Sequence, residues 1–136
     1  MSARVLVVED DLALRPLWEL VLKRQFVDYH LDWAISCEEA QRFLTSSIKY
    51  QSPYSLIITD LFLAGSGTGL DLIRFKGQIH NTIPLILVSV AEDTLIKENF
   101  NKVVSSTTVL TKPLSVPQLD RALEKIFAPH VRQESS

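Results

Sequence analysis

Acids, a hydroxyl and a lysine stand at or just after the ends of four short apolar runs. They are, in chain order, Glu9, Asp10 and Asp11, then Asp60, Ser89 and Lys112. Carboxylates that lie close together repel each other, so a cluster of them takes up a proton or holds a cation. Oxygen ligands with room for water suit Mg²⁺, and such an ion beside a lysine would attract a phosphoryl group. If the fold brings these positions together, Asp60 is a candidate nucleophile for aspartyl-phosphate formation.

The apolar runs alternate with helical patterns along the whole chain. The runs expected to form strands are 4–8, 29–34, 54–59, 84–90 and 108–111. Helical spacing of apolar residues follows them at 12–26, 36–48, 70–79, 92–100 and 115–127. Repeated strand–helix units predict an α/β fold whose parallel sheet is covered on both faces by right-handed crossovers. In such a sheet ligands bind beyond the carboxyl ends of the strands, which is where the candidate side chains stand.

Local signals add detail to these elements. Ser36 followed by Glu39 forms a capping-box pattern, and Asp11 and Ser115 are expected to cap helices. Pro16 lies within the first two turns of the first predicted helix, where we expect it to remove a hydrogen bond and kink the helix. The run 29–34 alternates in polarity, which favours a strand near the edge of the sheet.

Composition limits the classes of function. The chain has 136 residues and is 46% hydrophobic, which fits one domain with a core, and its net charge of −2 gives no footprint for nucleic acid. Its one cysteine, Cys37, allows no internal disulfide and favours the cytoplasm, and its place at a helix start favours a structural role. No run approaches the ~18 apolar residues that span a bilayer. We expect Trp18 at the edge of the core, with a surface anchor as the alternative.

Taken together, these residues resemble the receiver domain of bacterial two-component response regulators. The matching motifs are "LVVEDD", "LIITDLFL", "LILVSVAED" and "LTKP". The resemblance assigns residues 1–128 to a receiver domain and leaves 129–136 as a polar tail or the start of a linker. It implies a (βα)5 doubly wound, flavodoxin-like fold, with a five-stranded parallel sheet in the order 2-1-3-4-5.

The resemblance also implies roles for the site residues. Asp60 would accept a phosphoryl group from the phosphohistidine of a sensor histidine kinase or a phosphotransfer protein. Ser89 and Lys112 would contact that group, and the Lys112–Pro113 bond would be cis. The implied Mg²⁺ ligands are Glu9, Asp10, Asp60 and the backbone carbonyl of Phe62. The chain would catalyse only its own phosphorylation and slow dephosphorylation. It would signal to a downstream protein, with neither nucleic acid nor membrane as a partner, or pair as a homodimer through its fourth helix, fifth strand and fifth helix.

Four positions depart from the family pattern. Ala64 replaces a frequent proline, and the loop that reaches Gly69 is one residue longer than usual. Val90 replaces a common alanine after the switch hydroxyl, and this larger side chain narrows access to the acceptor. Val109 replaces an aromatic residue that rotates on activation in the family, and a β-branched side chain has no ring to reorient. These departures put the usual aromatic response to phosphorylation in question.

Two further positions bear on the lifetime of a phosphorylated state. Phe62 and Ala91 match positions that flank the route of the hydrolysing water in the family. Neither side chain can orient a water molecule by hydrogen bonding. The sequence therefore predicts slow self-dephosphorylation.

Three alternatives compete with a phosphorylated receiver. A pseudo-receiver, a binding module that works without phosphorylation, stays open because of Val90 and Val109. A haloacid-dehalogenase-like phosphatase would need a second aspartate where Phe62 stands. A dinucleotide fingerprint would need its third glycine at position 70, which is Leu70, and no Gly-Lys-Ser/Thr sequence exists for a P-loop. The glycines at 65, 67 and 69 are then interpreted as a flexible loop by which the chain leaves the site and reaches the next helix.

Overall fold

Five parallel strands form one sheet in the order predicted. The computed structural model describes residues 2–63, 65, 67–79, 82–90 and 107–127. The strands are β1 (Ser2–Val8), β2 (Asp28–Ala34), β3 (Leu56–Asp60), β4 (Leu85–Ser89) and β5 (Thr107–Thr111). They pair in the order β2-β1-β3-β4-β5, which confirms the 2-1-3-4-5 topology and the edge position of the second strand.

Four α-helices cover the sheet in the part of the chain that the structure describes. They are α1 (Arg15–Gln25), α2 (Cys37–Lys49), α3 (Gly69–Ile79) and α4 (Val116–Phe127). A short 3₁₀ helix, Leu12–Leu14, precedes α1. The last helix, α4, is the fifth of the predicted series, because the predicted helix over 92–100 lies outside the described residues. None of the described helices is long and apolar enough to cross a membrane.

Two apolar layers hold the helices against the sheet, one on each face. Alternate residues of each strand point to opposite faces, so Leu6 and Ile57 pack towards α2 and α3, whereas Val7 and Ile58 pack towards α1 and α4. Trp18 of α1 is 2% exposed and lies inside the second layer. It is therefore a core residue that lies inside the layer instead of at the expected edge, and the alternative of a surface anchor is wrong.

The predicted helix caps form, but in one of them the donor is a different backbone N–H from the one expected. The Ser36 hydroxyl accepts a hydrogen bond from the Glu39 N–H at 3.1 Å, but the Glu39 carboxylate accepts from the N–H of Ile35 instead of that of Ser36. At α4, Ser115 and Gln118 exchange two hydrogen bonds of 3.3 Å between their backbone N–H groups and side-chain oxygens. Both helices therefore begin where their donors are satisfied by local side chains.

The prediction for Pro16 is wrong. Asp11 accepts a hydrogen bond from the Ala13 N–H and begins the 3₁₀ helix, so α1 begins only at Arg15. Pro16 consequently lies in the first turn of α1, where a backbone N–H has no partner within the helix. The expected loss of a hydrogen bond does not arise.

The two glycines of α3 should respond to alanine in opposite directions. At Gly69, an added Cβ would stand 2.5 Å from the carbonyl oxygen of Asp60 and 3.0 Å from the Cα of Leu61, so Gly69→Ala should destabilise the fold by about 1–3 kcal/mol. At Gly77, an added Cβ would meet nothing within 4 Å, so Gly77→Ala should stabilise by about 0.5–1 kcal/mol through helix propensity. Urea unfolding of both variants measures the difference. A Gly69→Ala protein as stable as wild type would contradict the close approach of α3 to the end of β3.

Candidate functional site

Three carboxyl groups meet at the carboxyl edge of the sheet. Glu9 and Asp10 follow β1, and Asp60 ends β3, the strand that pairs with β1 up to Val8 and Thr59. One oxygen atom from each carboxyl group lies within 4.8 Å of the other two. Glu9 is buried, the Asp60 side chain is 12% exposed, and Asp10 is exposed. The cluster therefore extends from the interior to the surface, as a site reached by solvent and a partner must.

Lys112 is the cation of this site. It follows β5, its backbone N–H donates to the carbonyl of Ser89 at 2.7 Å, and its Nζ donates to Oδ2 of Asp60 at 3.0 Å. Burial alone would lower the pKa of Lys112, but its hydrogen bond to Asp60 and the charges of Asp60, Glu9 and Asp10 together raise it. The side chain is therefore an ammonium ion at neutral pH. The Lys112–Pro113 bond is cis, as the resemblance implies.

Glu9 is held in an environment that disfavours its charge. Burial, and then the negative charge of Asp60, raise the pKa of Glu9 from 4.5 to about 7. Its Oε2 is buried and accepts no hydrogen bond from the described residues. A buried carboxylate oxygen without a donor, beside two further carboxylates, fits a hard divalent cation such as Mg²⁺. The residues that could hold such an ion are Glu9, Asp10 and Asp60.

Ser89 lies at the same edge but makes a different contact. It ends β4, between β3 and β5, and is 3% exposed. Its hydroxyl donates to the carbonyl of Val90 at 3.2 Å, so in this structure it is directed to its own backbone instead of the acids. The neighbouring Val90 is 55% exposed at the rim. To donate to a group bound to Asp60, the hydroxyl would have to give up its hydrogen bond to the carbonyl of Val90.

The remaining positions singled out from the sequence surround this edge. Phe62 is 58% exposed, and its backbone forms an isolated bridge with Thr68 across the loop that leads to α3. Val109 is partly buried and packs against the core layer below α2 and α3. Ala64 and Ala91 lie outside the described residues.

The loop after Asp60 packs more tightly than its sequence indicates. Among the three loop glycines, all of which the structure describes, Gly65 alone has a left-handed conformation, with φ of 88°. An added Cβ at Gly67 would stand 2.6 Å from the Cβ of Cys37, and Gly69 is equally crowded by Asp60. Gly67 and Gly69 are therefore needed because they allow close packing. The interpretation of these two glycines as a source of flexibility is wrong. The glycine spacing was the only available signal, and it does not reveal which neighbour is close.

Comparison with known proteins finds similarity among solved structures. No family model matches the sequence, and no curated protein is similar to it. A protein described as a response regulator from Chloroflexus aurantiacus J-10-fl is 25% identical, with a TM-score of 0.74 over 94% of this chain and 99% of that chain. A phosphorylated cyanobacterial phytochrome response regulator is 19% identical, with a TM-score of 0.74 over 93% of this chain and 91% of that chain.

A third structure carries a metal. The receiver domain of a sensor histidine kinase from Pseudomonas aeruginosa PAO1, with a magnesium ion in its active site cleft, is 20% identical. Its TM-score is 0.72, over 92% of this chain and 97% of that chain. With the strand order and the helices described above, these similarities show that the chain has the receiver fold of response regulators over nearly its whole length.

Proposed function

We propose that this chain is a phosphoryl-accepting receiver of a two-component phosphorelay. It takes a phosphoryl group from the phosphohistidine of a sensor histidine kinase or a phosphotransfer protein onto Asp60, in a Mg²⁺-dependent reaction in the cytoplasm. One observation carries this proposal. Asp60 lies 3.0 Å from the Lys112 ammonium and also shares an acid cluster with Glu9 and Asp10. A nucleophilic carboxylate, a cation for phosphoryl oxygens and a divalent-metal cluster thus meet in one place.

The transfer is a displacement at phosphorus. A carboxylate oxygen of Asp60 forms the new P–O bond, the P–N bond to the histidine breaks, and its electron pair stays on the imidazole ring. Lys112 holds the attacking carboxylate in place and then neutralises charge on the phosphoryl oxygens. Mg²⁺, held by Glu9, Asp10, Asp60 and the backbone carbonyl of Phe62, would supply further neutralisation of those oxygens. The Ser89 hydroxyl donates to the phosphoryl group after leaving the carbonyl of Val90.

The output of this receiver is a change in protein contacts. A net charge of −2 gives no general attraction for nucleic acid, so a downstream protein is the better target. Pairing of two copies through the fourth predicted helix, β5 and α4 stays a prediction. Size-exclusion chromatography with and without phosphorylation measures it.

A pseudo-receiver is the second candidate, and two side chains favour it. The exposed Val90 stands beside Ser89 at the rim, and Val109 packs into the core where the family usually has a mobile ring. Incubation with acetyl phosphate and Mg²⁺, followed by intact mass measurement, separates the two candidates. We expect a gain of one phosphoryl group with Mg²⁺ and none when the metal is chelated. A folded protein that gains nothing in Mg²⁺ would favour the pseudo-receiver.

Mg²⁺ should stabilise the fold more above the pKa of Glu9 than below it. Because the pKa of Glu9 is raised from 4.5 to about 7 in the folded chain, its ionised form is disfavoured there, and without metal the free energy of unfolding should fall as pH rises between these values. Mg²⁺ needs the carboxylate, so below about pH 7 it competes with a proton. We therefore expect a larger Mg²⁺-induced rise in Tm one pH unit above this value than one unit below it.

Glu9→Gln is the matched control for this prediction. The amide is similar in size and has no proton to exchange near neutral pH, so its smaller Mg²⁺ effect should be the same at both pH values. Equal Mg²⁺ effects on the wild-type protein at both pH values would show that Glu9 does not contribute to the metal site.

The phosphorylated state should be long-lived. Phe62 stands exposed beside the acceptor and can neither donate nor accept a hydrogen bond, so it cannot orient a hydrolysing water. Decay of the phosphorylated mass after removal of the donor measures the lifetime. Loss of the label within seconds would contradict the prediction.

A further inference from the structure

A groove of about 570 Å³ runs along α2 beside α3, on a different face from the acid cluster. Its lining includes the neutral polar side chains of the middle of α2, and its charged and aromatic members are Glu38, Arg42, Lys49 and Tyr50 at α2 and Phe75 from α3. Arg42, Lys49 and Tyr50 are exposed, whereas Glu38 and Phe75 are half-buried. The groove therefore combines an aromatic floor with charged walls, as a protein-binding surface does.

The charge of the groove favours an acidic occupant. Arg42 and Lys49 lie on one side of α2, two turns and about 10 Å apart along the helix axis. Neither forms an ion pair with any described residue, whereas five other lysine and arginine side chains of the described chain do. Glu38 is the one acid among the lining residues. Two carboxylates at a matching spacing would complement these cations, with an apolar side chain between them on Phe75.

The loop that follows Asp60 connects this groove to the acid cluster. Its Gly67 backbone lies against Cys37, at the start of α2, and a Cβ added at Gly65 would stand 3.0 Å from Oε2 of Glu38. Glu38 is itself a wall of the groove. At its other end the loop packs against the backbone of Asp60. An added Cβ at Gly69 would be 2.5 Å from the Asp60 carbonyl oxygen. The loop therefore lies against both the end of β3 and the first turn of α2.

A rotating aromatic side chain on β5, which would be another way to transmit a change at Asp60, is absent from this chain. Val109 has no ring, and it packs against the core layer of α2 and α3. A side chain of this kind has few accessible rotamers and cannot swing between an inward and an outward position. A rotating ring at this position therefore cannot transmit a change at Asp60, whereas the loop that contacts α2 can.

We propose that the groove along α2 binds an acidic amphipathic helix of a partner protein, and that its affinity for this helix rises when Asp60 is phosphorylated. This inference rests on the proposed function, because it requires that Asp60 accept a phosphoryl group. The bound phosphoryl group draws the loop towards the acid cluster and away from Cys37, and the position of Glu38 at the wall of the groove changes with it.

Cys37 reports on the coupling directly. It is the only cysteine of the chain, it is 2% exposed beneath Gly67, and burial raises the pKa of its thiol, so it should react slowly in the resting protein. Coupling between two sites typically amounts to about 5- to 150-fold, so we expect phosphorylation to raise its rate of reaction with a thiol reagent at least about fivefold. Asp60→Asn should show no such rise.

The same samples separate failure of this inference from failure of the proposed function. Intact mass gives the phosphoryl content before the thiol reagent is added. A phosphorylated protein whose Cys37 rate is unchanged overturns the coupling and leaves the proposed function standing. A protein that gains no phosphoryl group removes the proposed function and the inference with it.

The occupant is tested with a pair of synthetic helical peptides. One carries two glutamates seven residues apart around a leucine, and the other carries lysines in their place. The phosphorylated protein should bind the glutamate peptide at least about fivefold more tightly than the unphosphorylated protein does, and should not bind the lysine peptide. The double variant Arg42→Glu, Lys49→Glu should lose this binding, whereas Arg121→Glu, Lys125→Glu on α4, with the same change in net charge, should keep it.

Three results would contradict the assignment of an acidic helix to the groove. Binding of neither peptide, or equal binding of both, would exclude an acidic helix in the groove. Dimerisation on phosphorylation that is lost in the Arg42→Glu, Lys49→Glu protein would assign the groove to a second copy of the chain.

Discussion

Asp60→Asn should take up no phosphoryl group under conditions in which the wild-type chain takes up one. The amide at this position is not a nucleophile towards phosphorus, and it places no negative charge beside Lys112. Asp28→Asn, an exposed change at the far end of β2, is the control and should be labelled like wild type. Intact mass measures both. An Asp60→Asn protein that still gains one phosphoryl group would move the acceptor to another residue of the cluster, such as Glu9 or Asp10.

Asp60→Asn should also lower the pKa of Glu9, and this effect can be measured without any phosphodonor. The negative charge of Asp60 is the second cause, after burial, of the raised pKa of Glu9. Without that charge the pKa of Glu9 should fall below about 7, although burial keeps it above its ordinary value of 4.5. Carbon-detected NMR titration of the glutamate side chains would follow the change.

Lys112→Ala should slow phosphorylation by about 10²- to 10³-fold, the typical effect of removing one donor that stabilises developing charge. The Nζ of Lys112 is 3.0 Å from Asp60, and no other described cation contacts this carboxylate. Its loss also removes the one charge that lowers the pKa of Glu9, so Glu9 should hold its proton more strongly and bind Mg²⁺ less well near neutral pH. The rate of labelling by a small phosphodonor at saturating Mg²⁺ measures the first effect.

Lys125→Ala is the matched control for Lys112→Ala, because it removes the same charge from the last turn of α4. It should leave the rate unchanged. A Lys112→Ala protein that is folded and labelled at the wild-type rate would show that the contact with Asp60 plays no part in the transfer.

The strands and their arrangement were largely predictable from the sequence. Buried strands such as the one predicted at 84–90 are short and apolar on both faces, and this pattern is kept in the fold because the sheet is covered on both sides. The order of the strands came from the family resemblance, since strand and helix patterns alone leave the order of a parallel sheet open. The start of α1 was missed because Leu12 and Leu14 continue the helical spacing although Asp11 caps a separate 3₁₀ helix.

The site was predictable as a list of residues and much less so as a geometry. Asp60 and Lys112 stand at the ends of β3 and β5, and the length of a lysine side chain lets it reach across the intervening β4. The burial that raises the pKa of Glu9 depends on packing between distant parts of the chain, and no local pattern encodes it. The direction of the Ser89 hydroxyl is a choice of rotamer, which the sequence does not specify. The contact of Gly67 with Cys37 joins positions thirty residues apart and appears only in three dimensions.

Chemical location of the phosphoryl group tests most directly whether Asp60 is the acceptor. Borohydride reduces an aspartyl phosphate to homoserine, so the phosphorylated protein is reduced, digested and sequenced by mass spectrometry. We expect homoserine at position 60 in the Mg²⁺-treated sample and aspartate there when the metal is chelated. Reduction at any other acidic residue, or an unmodified Asp60 in a protein whose intact mass shows a phosphoryl group, would contradict this assignment.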